Sequence, residues 1–268
     1  MIEAIKQQFT KGMTGEDKLN RAREYLQLLS LKILDEKGAF KFMAFTGGTA
    51  LRVIFGLRRF SEDLDFSLIN KGGPTFLEIV DDLVKGLKLA GLQVESKAKV
   101  RNTVFSAMLK FSGLLKEIGL SPLESQNLSI KVEADSNPPE GGAIQSTFIQ
   151  KSYVFNITHF DLPSMFATKL HACFYRKYLK GRDFYDFIWY MASRVKPNFL
   201  LLNNAIKQTQ GENPKINEQN FKEFLLKGTE RVDFNDARKD VERFLEDKAE
   251  LRLFDAKNIR SSIETIYR

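Results

Sequence analysis

Apolar residues in this chain recur at two spacings, and the change from one to the other divides it. Leu19, Ala22, Leu26, Leu29 and Ile33 return every three or four positions and so line one face of a helix. Thr14-Gly-Glu-Asp17 has the form of an amino-terminal cap for that helix, which is expected to pack on a sheet, and Gly38 supplies its stop. A short apolar strand over 42–45 then runs into Gly47-Gly48, and a second helix is expected over 49–55. After the loop Lys71-Gly-Gly-Pro74, Phe76, Ile79, Val80, Leu83 and Leu87 mark an amphipathic helix closed by Gly91. The spacing next becomes alternation, which predicts strands near 92–100, 103–111, 128–134 and 147–155, with loops such as Ser136-Asn-Pro-Pro-Glu-Gly-Gly142 between them.

From Asp161 onward only helical spacing is found. Pro163 suits a first turn, and Phe166, Leu170, Cys173 and Phe174 follow with helical period. Further helices are expected over 184–194, 199–209, 218–226, 235–245 and 259–266. The chain reads as α+β: a sheet with flanking helices over residues 1–160, then an all-helical part over 161–268.

Composition narrows the picture. At 268 residues and 43% apolar content the chain can bury a core. It has no apolar run of membrane-spanning length, and its first residues lack a secretory pattern, so a cytoplasmic, membrane-free protein is expected. A formal charge of +7 favours an anionic partner such as nucleic acid or nucleotide, although a solvated surface accounts for most of the basic residues. Cys173, the single cysteine, reads as a buried packing residue, and His159 and His171 are too few for a zinc site. Walker-type and dinucleotide-type glycine patterns are absent.

Asp63 and Asp65 carry the candidate chemistry. Alternate residues of a strand point to one face, so the two carboxylates converge, and a hard cation would relieve their repulsion. Mg²⁺ is the expected ion, with Mn²⁺ as its substitute. Gly47 and Gly48 end one strand and open a helix, where main-chain N–H groups can approach phosphate. Thr49 or Ser61 could give a hydroxyl to phosphate, with Ser61 equally readable as a turn residue. Arg58 and Arg59, just before the acidic strand, read as a solvated turn in preference to a phosphate contact.

The order of strand, Gly-Gly-Thr turn, helix and Asp-x-Asp strand resembles the DNA polymerase β-like nucleotidyltransferases, and within them the AbiEii/AbiGii toxin group with its MenT relatives. That resemblance implies a mixed-sheet catalytic domain over 1–160 and a helical domain over 161–268 that completes the cleft. It also implies a third acid on a later strand. Ile130, Val132 and Ala134 alternate with Lys131, Glu133 and Asp135; Glu133 is the better match and Asp135 the fallback. The group further carries a helical lysine and an Arg-Asp-x-Tyr-Asp segment, matched here by Lys169 and by Arg182-Asp183-Phe184-Tyr185-Asp186.

The activity implied is transfer of a nucleoside monophosphate from a nucleoside triphosphate to a hydroxyl, with RNA, and tRNA in particular, as the acceptor. Asp63, Asp65 and Glu133 would hold the metal, with Glu133 alternatively a general base. Lys169, with Arg176 and Lys180 on one helical face by spacing, would meet the triphosphate or RNA. Arg182, Asp183 and Asp186 join the nucleotide-binding set, where the aspartates position Lys169, touch base or ribose, or form a structural ion pair. A cognate antitoxin is a candidate partner. The alternatives are nucleotidylation of a protein or small molecule, and a non-catalytic nucleotide or RNA binder.

Overall fold

The computed structural model describes residues 1–101 and 103–267 and divides into two compact units. The first comprises Met1–Gly56, Phe60–Pro138 and Ile144–His159. The second comprises Leu57–Arg59, Pro139–Ala143 and the chain from Phe160 onward.

In the first unit, α1 (Ile2–Lys6) precedes the long α2 (Gly15–Glu36), then β1 (Met43–Thr46), α3 (Gly47–Phe55) and β2 (Asp63–Leu68). Next come α4 (Phe76–Leu89), β3 (Val94–Arg101), β4 (Val104–Phe111), the one-turn α5 (Leu114–Glu117), β5 (Leu128–Asp135), β6 (Ile144–Gln150) and β7 (Val154–Phe160). Local chemistry accounts for the helix starts. Thr14 with Asp17, and Thr75 with Glu78, form reciprocal capping boxes that satisfy main-chain N–H groups at the heads of α2 and α4.

The sheet runs β3-β4-β5-β2-β1-β7-β6, with β2 parallel to β5 and β1 parallel to β7, and β1–β2, β3–β4 and β4–β5 antiparallel. The mixed-sheet α+β class is therefore as expected. Strand β5 alternates strictly between buried and partly exposed positions. Its Ile130, Val132 and Ala134, with Leu64 and Phe66 of β2 and Ala107, Leu109 and Phe111 of β4, are at most 2% exposed. Helices α2 and α4 pack against this sheet. Each such Leu, Ile or Phe contributes about 1.5–3 kcal/mol by leaving water.

One expected element is wrong. The strand read over 147–155 is two strands, because the chain reverses at Lys151–Tyr153, where the Lys151 N–H donates to the Tyr153 carbonyl. No Gly, Pro or Asn marks that turn in the sequence.

The second unit is helical: α6 (Leu162–Tyr175), α7 (Gly181–Ala192), α8 (Phe199–Gln210), α9 (Phe221–Thr229), α10 (Phe234–Val241) and α11 (Ala256–Ile266), with short 3₁₀ turns between α10 and α11. Its core is aromatic. Phe166 stacks on Tyr190 at 4.3 Å and meets Phe221 edge-on, while Phe174 meets Phe187 and Phe224 edge-on. A Cβ on Gly181 would lie 1.9 Å from the Ala237 carbonyl oxygen, so only glycine lets the start of α7 meet α10 this closely. Helix α6 ends at Tyr175, and Arg176 is extended. The expected stripe of Lys169, Arg176 and Lys180 on one helix face therefore does not form. Among the described residues no helix is long and apolar enough to cross a membrane.

Candidate functional site

The candidate acids sit on the central strands of the first unit. Cα register pairs Asp65 with Thr46 of β1 on one side and with Glu133 of β5 on the other, and Asp63 with Lys131. Directly opposed residues share a face, so Asp63, Asp65, Lys131 and Glu133 line one side of adjacent strands. The start of β2 is held by two buried polar groups. The Thr49 hydroxyl donates to the Asp63 carbonyl, and the Gln27 amide donates to the carbonyls of Ser61 (3.1 Å) and Asp63 (3.5 Å).

Thr49 is 1% exposed, so its hydroxyl positions the acidic strand and is not turned toward a ligand, contrary to the expected phosphate contact. Gln27 had no assigned role in the sequence, where its only signal is a polar residue within the apolar stretch of α2.

Gly47 has a left-handed φ of +77°, and a Cβ there would lie 2.3 Å from Asp65 Oδ2. The Asp65 carboxylate thus occupies the space that a side chain would fill at the head of α3. Gly47 and Gly48 are the first two residues of that nine-residue helix, and the N-cap residue Thr46 places no side chain on its N–H groups. Donors of this kind suit an anion. Ser61 is partly exposed and lies in the loop two residues before β2 begins.

The donor set on this face is hard and anionic, which fits a divalent cation. The side chains nevertheless do not stand as a ready cage. Among the described residues no group of three or more Asp, Glu, His or Cys side chains is gathered to hold a metal ion. The Lys131 ammonium is 2.7 Å from Glu133 Oε1, so a cation already engages the third acid. Asp135, the fallback acid, lies on the same face opposite Ser67. Burial pushes its pKa up, against the Asn137 N–H that it accepts at 2.9 Å.

The second unit holds the other candidate residues in a buried ion network. Arg59 grips Asp186 with two parallel bonds of 2.6 Å. The Lys169 ammonium lies 2.7 Å from Asp183 and 2.8 Å from Asp186, and Arg176 reaches the second oxygen of Asp183 at 2.7 Å. Side-chain exposures are 3% for Arg59, 11% for Lys169 and 0% for Asp186. Burial alone would push Lys169 down, but Asp183 and Asp186 outweigh it and hold the amine above its ordinary pKa. Burial likewise opposes ionisation of Asp183, yet Lys169 and Arg176 bring its pKa down to about 2.

These contacts correct two expectations. Arg59 is no solvated turn residue; it is a buried partner 127 positions from Asp186, a pairing without local signal in the sequence. Asp186 has no exposed surface, so contact with a base or ribose is not open to it as it stands. Arg182 lies over the Phe244 ring at 4.4 Å.

Comparison with known proteins follows the same lines. The sequence matches the family described as nucleotidyl transferase AbiEii toxin, type IV toxin–antitoxin system, over residues 30–261. A Helicobacter pylori protein proposed to be a nucleotidyltransferase is similar in structure, with a TM-score of 0.56 and 18% identity over 91% of this chain and 93% of that one. JHP933 from Helicobacter pylori gives a TM-score of 0.55 and 19% identity over 92% and 91%. These two likenesses concern the fold. No curated protein sequence matches this chain.

Proposed function

Because this chain belongs to the AbiEii family of nucleotidyl transferase toxins, we propose that it transfers a nucleoside monophosphate from a nucleoside triphosphate to an RNA hydroxyl. A tRNA end is the acceptor and a cognate antitoxin restrains the activity. The nucleotidyltransferase activity class follows from the family. The register that sets Asp65 between the glycine-opened helix α3 and Glu133 is the observation that carries the finer reading.

Asp63, Asp65 and Glu133 are the residues that would hold a divalent ion, Mg²⁺ or Mn²⁺, once Lys131 leaves Glu133. Bound there, the ion would neutralise triphosphate charge and acidify an acceptor hydroxyl. The side chains themselves have separable tasks. The main-chain N–H groups opening α3 orient phosphate oxygens. As the alternative to a metal ligand, Glu133, partly exposed and released by Lys131, accepts the proton of the attacking hydroxyl as pyrophosphate leaves the α-phosphorus. Thr49 and Gln27 keep the start of β2 in place. Lys169, Asp183 and Asp186 serve this reading as the frame of the helical unit, and Arg182 through its stacking on Phe244. The nucleotide and acceptor are cytoplasmic, and the protein acts there.

The test is incubation of the protein with each α-labelled triphosphate and total RNA, with Mg²⁺ or with a chelator. The reading expects label in RNA, dependent on the metal and lost in Asp63→Asn and Asp65→Asn. Label in protein or in low-mass material would replace the acceptor, and full activity in either variant would sink the acid assignment.

A further inference from the structure

The sheet face that carries the acids continues outward, and register gives its residues in rows. Lys99 on β3 is opposite Ser106 on β4, Ser106 is opposite Glu133, and Glu133 is opposite Asp65. The adjoining row runs Lys97, Met108, Lys131, Asp63. A third row sets Lys110 between Glu95 and Ser129. Opposed residues share a face, so all of these side chains belong to the side that bears the carboxylates. The reverse side of β4 is the core side, with Ala107, Leu109 and Phe111 buried.

Charge is ordered along these rows. At the centre stand Asp63, Asp65 and Glu133 around Lys131. Two strands out, about 10 Å from Glu133 at ordinary strand spacing, stands Lys99 with Lys97 beside it, and Lys110, one strand out but four residues along, is about 14 Å away. Lys97, Lys99, Lys110 and Glu95 are exposed, and Ser106 and Met108 between the two zones are partly exposed and uncharged.

Lysine on an edge strand has a second use, since charge there deters pairing with another sheet edge. An edge guard can stand on either face. On β3 the described charges do not: Ser96, Ala98 and Val100 occupy the reverse face, and the lysines occupy the face of the acids.

We propose that this outer face seats the phosphodiester backbone of the RNA acceptor, with Lys97, Lys99 and Lys110 against its phosphates and its terminal hydroxyl delivered to Glu133. The cationic edge and acidic centre match a polyanion that must end at a metal-binding site. The inference rests on the reading that the acceptor is RNA, and it adds which surface of the chain takes it.

Binding separates the two questions. A fluorescently labelled single-stranded RNA is titrated with the full-length protein without nucleoside triphosphate, at several salt concentrations, and compared with the K97E/K99E variant. Reversal of charge leaves the edge guarded, so thermal melting should be unchanged. Affinity should fall at least tenfold near 0.1 M salt, and the log–log salt slope should become shallower by about 1.4, the release expected for two phosphate contacts on single-stranded nucleic acid. Equal affinity and equal slope would overturn the proposal and leave the lysines as edge guards. Because no transfer is measured, a protein that binds RNA through these lysines yet never labels it would refute the proposed acceptor while supporting this seat.

Discussion

Both units carry aspartates among cations, yet the two groupings differ in burial. In the helical unit Asp186 and Asp183 are buried and each oxygen has a cationic partner. On the sheet Asp63, Asp65 and Glu133 are partly exposed, and Glu133 is engaged by Lys131, itself partly exposed. Charges taken out of water need close, complete pairing, and once paired they resist change. Carboxylates at a reaction site must exchange partners. The sequence motif Arg182 to Asp186 and the motif Asp63 to Asp65 look alike as clustered acids, but Asp183 and Asp186 are buried while Asp63 and Asp65 are partly exposed, and the proposed division between architecture and chemistry rests on that difference.

The contrast can be broken at several points. The largest effect is expected for Asp63→Asn and Asp65→Asn: loss of charge stabilisation worth several kcal/mol, about 10³-fold or more in nucleotide transfer, with the urea midpoint unchanged. A matching drop in stability would mean that these acids are structural too. Arg59→Ala should show the reverse pattern, because it leaves Asp186 buried with a lost partner; about 3–5 kcal/mol of stability should go, read by urea unfolding. A cost below 1 kcal/mol would remove the network as the frame of the helical unit.

Acid provides a third probe. The folded pKa of Asp183 is lowered from 3.8 to about 2, so its contribution is present above the unfolded value and is lost as pH falls from about 4 toward 2. The amount is on the order of 2 kcal/mol, and Asp183→Asn should flatten that part of the stability profile. An identical acid limb in the variant would contradict the assignment. Gly47→Ala forces a side chain at φ +77° into the Asp65 carboxylate and should cost about 1–2 kcal/mol, with transfer falling further than stability does. Smallest is Lys131→Met, which removes a partly exposed pair worth at most about 1 kcal/mol. It should lower the Mg²⁺ concentration for half-maximal transfer, and an unchanged requirement would show that Lys131 does not compete for Glu133.

What the sequence disclosed follows from distance along the chain. The cap at Thr14 and the alternation of β5 are written within a few residues and were readable, whereas the equally local capping box at Thr75 was passed over. The carboxylates of β2 were readable for the same reason. The turn at Lys151–Tyr153 was not, since residues without a turn preference reverse there under the demands of sheet pairing. The end of α6 at Tyr175 is likewise unmarked by Gly or Pro. Arg59 with Asp186, and Lys131 with Glu133, depend on who meets whom after folding. In the second pair the residues are neighbours on one charged face, and the lysine turns to the glutamate only in the folded sheet.

The parallel pairing of β2 with β5 also sets a schedule. Asp65 and Glu133 are opposed in space but lie 68 residues apart along the chain, so their strands cannot be joined by a hairpin and must await the whole intervening segment. At a synthesis rate of about 5–20 residues per second, roughly 3–14 s separate the two acids on the ribosome. A nascent chain thus carries Asp63 and Asp65 for seconds before Glu133 can stand opposite them, and the proposed three-acid site would be incomplete throughout that interval.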